Sequence, residues 1–341
     1  MLPLFARRWF RLLLHTTGLA VTGALALAGC AATPMPHNYD AAPSWQAYPD
    51  DLVRPGRDPR LRETWWTWQQ HRIHVDVWTP TSTPRATVVL VHGGGGHGRL
   101  LATYAASLVD HDVEVLAPDL PLYGLSVVHD RRTVTFSTWV NCVSSLAQAH
   151  HVAGRPLLLV GASLGGTVAL YAAAQTPAVD AVVATTLLPV HDPDVMRQVS
   201  TSAMGVDALL VLGPLVDGFD VEAGALAPLD KMSSRTDVVD ALADDPLVGR
   251  RDVPLAFFRS FLQAQPPVPL AEVRTPVVLA HPAQDRWTPL ALSTPTLNAL
   301  GGATRLVLLE KATHFPLEEP GRSQLEAEML RVVASLEDQT R

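Results

Sequence analysis

The sequence predicts an α/β protein: a mostly parallel central sheet flanked by helices on both faces, with a helical cap inserted after the sixth strand. Three observations carry this. Short β-branched runs alternate with helix-length stretches from residue 86 to residue 186. Those runs are apolar at successive rather than alternate positions, as strands buried on both faces require. The alternation then breaks near residue 190 and resumes at 275–282 (TPVVLAHP), leaving a proline-punctuated, helix-patterned block at 190–265.

Each segment has its own signature. Residues 1–29 join a basic start (Arg7, Arg8, Arg11) to an apolar stretch that ends in small residues, as an export signal does. Residues 30–62 are proline-rich with little periodicity and predict a tether, with Trp45 and Tyr48 free either to dock or to remain exposed. Residues 64–69 and 71–79 predict a hairpin, because Ile73, Val75 and Val77 alternate with His74 and Asp76. Strands follow at 86–93, 113–119, 156–163 and 178–186, separated by helices near 109, 134–151 and up to 175. After the block at 190–265 come strands at 275–282 and 304–310 and a final helix. The α/β core is thus expected at 63–189 and 266–341.

Composition narrows the function. The chain has 341 residues, 48% hydrophobic and 17% charged, an ordinary globular balance. A formal charge of −7 disfavours nucleic acid and anionic headgroups as long-range partners. No cluster has zinc-ligand spacing, so neither a metal nor another cofactor is expected. His71 and His74 sit at an odd spacing on a strand and face opposite ways. Of the two cysteines, Cys142 falls in a helix-like stretch and reads as a buried thiol.

Gly161-Ala162-Ser163-Leu164-Gly165 follows an apolar strand and opens a helix. A serine on so sharp a turn needs small neighbours, and the exposed hydroxyl is then a candidate nucleophile. Such a hydroxyl requires a base, and the base an orienting acid. His314 follows the last strand and Asp285 the one before, both where loops leave strand C-termini. His281 and Asp119 are the rivals. An oxyanion hole is expected from the backbone N–H groups of Gly94, in His92-Gly93-Gly94-Gly95-Gly96, and of Leu164.

These motifs together resemble the α/β-hydrolase superfamily, within it the branch of monoglyceride lipases, lysophospholipases and serine aminopeptidases. HGGGGHGRL (92–100) resembles that branch's HGxGEHxxRY, with Gly96 in place of the glutamate and one residue missing. DLPLYGLS (119–126) resembles DxxGxGxS, with Leu122 where glycine is usual, and the cap run ending in Asp245-Pro246-Leu247 resembles the branch's D-P-L. Leu27-Ala28-Gly29-Cys30 resembles the bacterial lipobox. That likeness implies diacylation of Cys30 and export, by the general or the twin-arginine route, to a membrane facing the periplasm or cell exterior.

The expected activity is hydrolysis of carboxylic esters, lipid-like or short-chain, through an acyl-enzyme. Apolar cap residues (Leu209–Leu212, Phe257, Phe258 and Phe261) are candidates for an acyl pocket or for cap-to-core packing. Amide hydrolysis is the alternative, and would need an acidic cap group such as Asp244, Asp245 or Asp252. A non-catalytic binding module and a carbon–carbon bond hydrolase remain open on the sequence alone.

Overall fold

A computed structural model describes residues 36–249 and 251–340 of the chain. The expected export signal at 1–29 and Cys30 lie outside the described residues.

Among the described residues ten strands form in chain order: β1 (Leu61–Trp68), β2 (His71–Trp78), β3 (Ala86–Val91), β4 (Val113–Pro118), β5 (Leu157–Gly161), β6 (Ala181–Ala184), β7 (Asp220–Glu222), β8 (Asp252–Pro254), β9 (Val277–Pro282) and β10 (Thr304–Leu309). Eight make one sheet in the order β1-β2-β4-β3-β5-β6-β9-β10, antiparallel at β1-β2 and β2-β4 and parallel elsewhere. Side chains alternate between two cores. In β5, Leu157 and Leu159 enter one and Leu158 and Val160 the other, which is why the run is apolar throughout.

Helices α1 (Pro43–Gln46) and α2 (Asp50–Val53) precede the sheet, and α3 (Ala102–Val109), α4 (Phe136–Ala149) and α5 (Leu164–Gln175) run between its strands. A capping box between Thr135 and Thr138 starts α4, satisfying N–H groups that the first turn would leave unpaired. Cys142, in α4, is fully buried, and burial raises its pKa.

The cap holds α6 (Pro193–Val199), α7 (Ala203–Leu212), α8 (Ala223–Leu226), α9 (Thr236–Asp244) and α10 (Leu255–Phe261). It is not wholly helical, since β7 and β8 pair within it. Helix α10 seats it on α4: the Phe257 ring lies 4.9 Å from Trp139, and Phe136 N donates to Ser260 Oγ at 2.8 Å. Helices α11 (Leu290–Ala299) and α12 (Gly321–Thr340) complete the core.

From Pro36 onward, the segment expected to be a tether is instead a strap packed on the domain. Tyr39 is 0% and Trp45 1% exposed, and Tyr48, Leu52 and Val53 are buried with them. The prolines taken as signs of coil open helical turns: Pro43 begins α1, and Pro49 caps α2. The strap reaches the cap as well, where Tyr48 OH donates to Asp245 Oδ2 at 3.0 Å and Arg235 pairs with Asp51.

Beneath the strap lies a buried ionic network. Arg99 holds Asp76 through two hydrogen bonds of 2.6 and 2.8 Å and reaches Glu63 at 2.8 Å. His74 sits between Glu63 at 2.9 Å and Asp119 at 3.1 Å, and Tyr39 OH donates to Asp119 at 2.7 Å. Burial acts against a charged His74, but Asp119, Glu63 and Asp76 outweigh it and push its pKa up to about 10. Asp119 is held below the usual carboxylate range despite its burial, chiefly by His74.

Trp45→Ala should therefore cost about 3–5 kcal/mol in urea unfolding, where a true tether residue would cost nothing measurable. A raised histidine pKa contributes stability that is complete below its ordinary value of 6.5 and lost as pH climbs through about 10. His74→Gln should flatten that alkaline decline, and unfolding free energies measured from neutral pH to pH 10 would show it.

Candidate active site

Strand β5 ends at Gly161 and helix α5 begins at Leu164, so the chain reverses across Ala162 and Ser163. Ser163 takes φ 53° and ψ −130°, a conformation that side-chain-bearing residues avoid. Space is short on both sides. A Cβ at Gly161 would lie 2.2 Å from the Gly165 carbonyl oxygen, and one at Gly165 would lie 2.3 Å from that of Val91. Two threonines after β6 clamp the turn: Ser163 N donates to Thr185 Oγ1, and Thr186 Oγ1 donates to Ser163 O, each at 2.8 Å.

The three side chains expected at the site meet. His314 Nε2 lies 2.7 Å from Ser163 Oγ, and His314 Nδ1 lies 2.8 Å from Asp285 Oδ2. Asp285 is fixed by the residues just after it, accepting from Trp287 N at 2.9 Å, Thr288 N at 2.8 Å and Thr288 Oγ1 at 2.7 Å. Burial would raise its pKa, but the hydrogen bonds from His314 and Thr288 win and hold it low. A carboxylate so placed makes Nδ1 of His314 the donor and leaves Nε2 to accept the serine proton.

Both rivals are occupied elsewhere. His281 Nδ1 bonds the Thr185 carbonyl at 3.2 Å, and burial lowers its pKa. Asp119 belongs to the network under the strap and accepts from Gly98 N at 2.7 Å and Leu125 N at 2.8 Å. Glu63, His74 and Asp76 are close enough to hold an ion, but Arg99 already neutralises the two carboxylates.

Gly94 and Leu164 both line the cavity that holds Ser163. Leu164 is the first residue of α5, so its N–H has no acceptor within the helix and adds to the positive end of the helix dipole. The glycine loop is set by His92, which bonds the Gly93 carbonyl through Nδ1 at 2.7 Å and accepts from Leu120 N at Nε2 at 2.9 Å. Burial lowers the His92 pKa to about 4, so the ring is neutral and keeps one tautomer. Two N–H groups facing a developing oxyanion are what acyl transfer uses.

The cavity spans about 1060 Å³, part of it open to solvent. Leu209, Phe258 and Phe261 line it, as expected of an acyl pocket. Phe257 does not; it is 0% exposed and packs the cap onto the core. Leu210, Val211 and Leu212 face solvent, with Val211 84% exposed, because α7 shows the cavity only one face.

Several supporting residues escaped the sequence reading. Thr288 donates to Asp285 and stands 3.2 Å from His314 Nδ1. Trp287 lies 4.5 Å ring to ring from His314 and donates from Nε1 to the Val199 carbonyl of α6 at 2.6 Å. The signal was present in Asp285-Arg286-Trp287-Thr288, since an aspartate turn readily bonds N–H groups two and three residues on. Relieving the strain at Ser163 should show in stability: Ser163→Gly is expected to exceed Ser163→Ala by about 1 kcal/mol in urea unfolding. Equal stabilities would mean that the turn is not strained.

Comparison with known proteins agrees with this architecture. Residues 82–321 match the model of the family described as serine aminopeptidase, S33. The monoacylglycerol lipase of Mycolicibacterium smegmatis is 28% identical over 225 residues, covering 64% of this chain and 77% of its own. The human monoglyceride lipase is 28% identical over 216 residues, covering 61% and 68% respectively. Among solved structures, a soluble variant of the Saccharomyces cerevisiae monoglyceride lipase, in complex with a substrate analogue, superposes with a TM-score of 0.68. It is 16% identical, covering 82% of this chain and 96% of that one. The chain belongs to the serine aminopeptidase (S33) family and has the α/β-hydrolase fold.

Proposed function

We propose that the protein is a serine hydrolase that cleaves carboxylic esters through an acyl-enzyme. The observation that carries this is the unbroken chain Ser163 Oγ–His314 Nε2 and His314 Nδ1–Asp285, with Ser163 on the wall of an apolar cavity. Ser163 Oγ attacks the ester carbonyl while His314 takes its proton. The N–H groups of Gly94 and Leu164 stabilise the oxyanion, and the C–O bond to the alcohol breaks. Water, activated by His314, then releases the acid. An acyl chain suits the cavity's leucine and phenylalanine lining, because few polar side chains among the described residues enter it.

The likeness to monoacylglycerol and monoglyceride lipases supports ester over amide cleavage. Amide cleavage would call for an acidic cap group to hold a substrate amine. Asp244, Asp245 and Asp252 do not line the cavity, and Asp245 is buried against Tyr48.

Fluorophosphonate labelling with turnover of p-nitrophenyl esters of increasing acyl length tests the reading. Ser163→Ala should abolish labelling and lower turnover on the order of 10⁶-fold, and Asp285→Asn should lower it about 10⁴-fold. A folded wild-type protein that takes no label would sink the proposal. Residues 1–29 and Cys30 support a further proposal, export and lipid anchoring to a bacterial membrane. Cys30→Ser should then move the protein from the membrane to the soluble fraction, and a partition unchanged by the substitution would count against the anchor.

A further inference from the structure

A second cavity meets the first at Ser163 and Gly94. It spans about 430 Å³, part of it open to solvent, and is lined by the glycine loop, the His314 loop and Met232 and Leu242 of the cap. Leu100, Leu101 and Phe315 also line it. His314 borders this cavity and not the larger one, whose residues from that side are Trp287 and Thr288.

Resting on the ester-hydrolase reading above, we infer that this smaller cavity receives the alcohol half of the substrate, and that it selects an apolar alcohol over a polyol. The side follows from the proton. When Ser163 Oγ attacks, its proton passes to His314 Nε2. When the tetrahedral intermediate collapses, the C–O bond to the alcohol breaks with its electron pair left on that oxygen, and the same proton moves onto it. The leaving oxygen must therefore come within hydrogen-bond reach of His314 Nε2, and its substituent must occupy the space beside that ring. Only the smaller of the two cavities borders His314.

The chemistry of the wall sets the preference. Among the described residues, no charged side chain lines the cavity. Apart from the reacting Ser163 and His314, His92 is the one polar side chain among the described residues that line it, and both ring nitrogens are already engaged, by the Gly93 carbonyl and Leu120 N–H. Gly96 also lines it, at the place where the resembled HGxGEHxxRY segment has a glutamate, so no carboxylate faces the leaving group there. Hydroxyls on a glycerol moiety would leave water without a side-chain partner waiting, whereas an alkyl group would lose nothing.

The test compares two esters of one acid on the full-length protein in detergent: butyl dodecanoate and 1-monododecanoylglycerol. Wild type should favour the butyl ester in kcat/KM by on the order of 10–100-fold. Met232→Gln, which adds an amide at similar volume, should narrow that ratio roughly tenfold and leave the dependence on acyl length unchanged. Equal or faster cleavage of the glycerol ester by wild type, or a ratio unmoved in Met232→Gln, would overturn the assignment. Fluorophosphonate labelling of Ser163 in the same samples separates the two levels. Labelled enzyme without the preference loses only the leaving-group assignment, whereas unlabelled enzyme loses the ester-hydrolase reading and this one with it.

Discussion

Everything at the site depends on one strained turn. Ser163 can present its hydroxyl above the sheet only because the backbone at that residue takes a positive φ, and that conformation survives only where the surroundings enforce it. They do so by crowding. Strand β5, helix α5 and the end of β3 approach so closely that Gly161 and Gly165 have carbonyl oxygens where a Cβ would go. The same closeness brings the Gly94 loop beside the start of α5, because Val91 of β3 is in register with Gly161 of β5. The positions of Ser163 and of the Gly94 loop are thus two consequences of one packing arrangement. Thr185 and Thr186, from the next strand's end, hold the turn by its own peptide groups, leaving the Ser163 hydroxyl free to face His314.

The buried ionic network plays a comparable role away from the chemistry. Glu63 and Asp76 from the β1-β2 hairpin, Arg99 after the glycine loop and Asp119 after β4 tie four segments together in the interior. Asp119 also sets the loop that carries Tyr123 to the cavity wall, by accepting from Gly98 and Leu125. Leu122 in that loop has φ 84°, where glycine would be unstrained. Left-handed backbone costs such a residue about 1–2 kcal/mol. Complete burial of the leucine contributes about 1.5–3 kcal/mol, so leucine is the better residue despite the strain. Breaking a buried ion pair by removing one partner costs about 3–5 kcal/mol, which makes the strap over the network a structural part and not an ornament.

Much of this was legible in the residues. Unbroken apolar runs announced strands covered on both faces. G-x-S-x-G between strand and helix announced the turn, and the chain order of serine, aspartate and histidine placed the other two groups. What was not legible has a common cause. Prolines in 36–60 read as coil because proline breaks helices from within, yet it also starts them, and only the burial of Tyr39, Trp45 and Tyr48 decides between the two. Leu210, Val211 and Leu212 read as cavity lining or cap-to-core packing and are exposed instead, because hydrophobicity says nothing of which way a short cap helix is turned. Likewise His74 looked like one member of a bland pair until the fold put Glu63, Asp76 and Asp119 around it.

Trp287 joins the two halves of the molecule. Its peptide N–H orients Asp285, its ring lies beside His314, and its indole N–H reaches the last residue of cap helix α6. A cap that shifts must therefore either drag the indole, and with it the packing against the imidazole, or break a 2.6 Å hydrogen bond. Helix α6 also supplies Met196 and Val199 to the larger cavity, so the helix that holds Trp287 forms part of the cavity's wall. Trp287 itself lines that cavity, so one side chain touches the cavity, the cap and the imidazole. The cap is fastened at one end by Phe257 against Trp139, and at the other by Tyr48 and Asp51 of the strap.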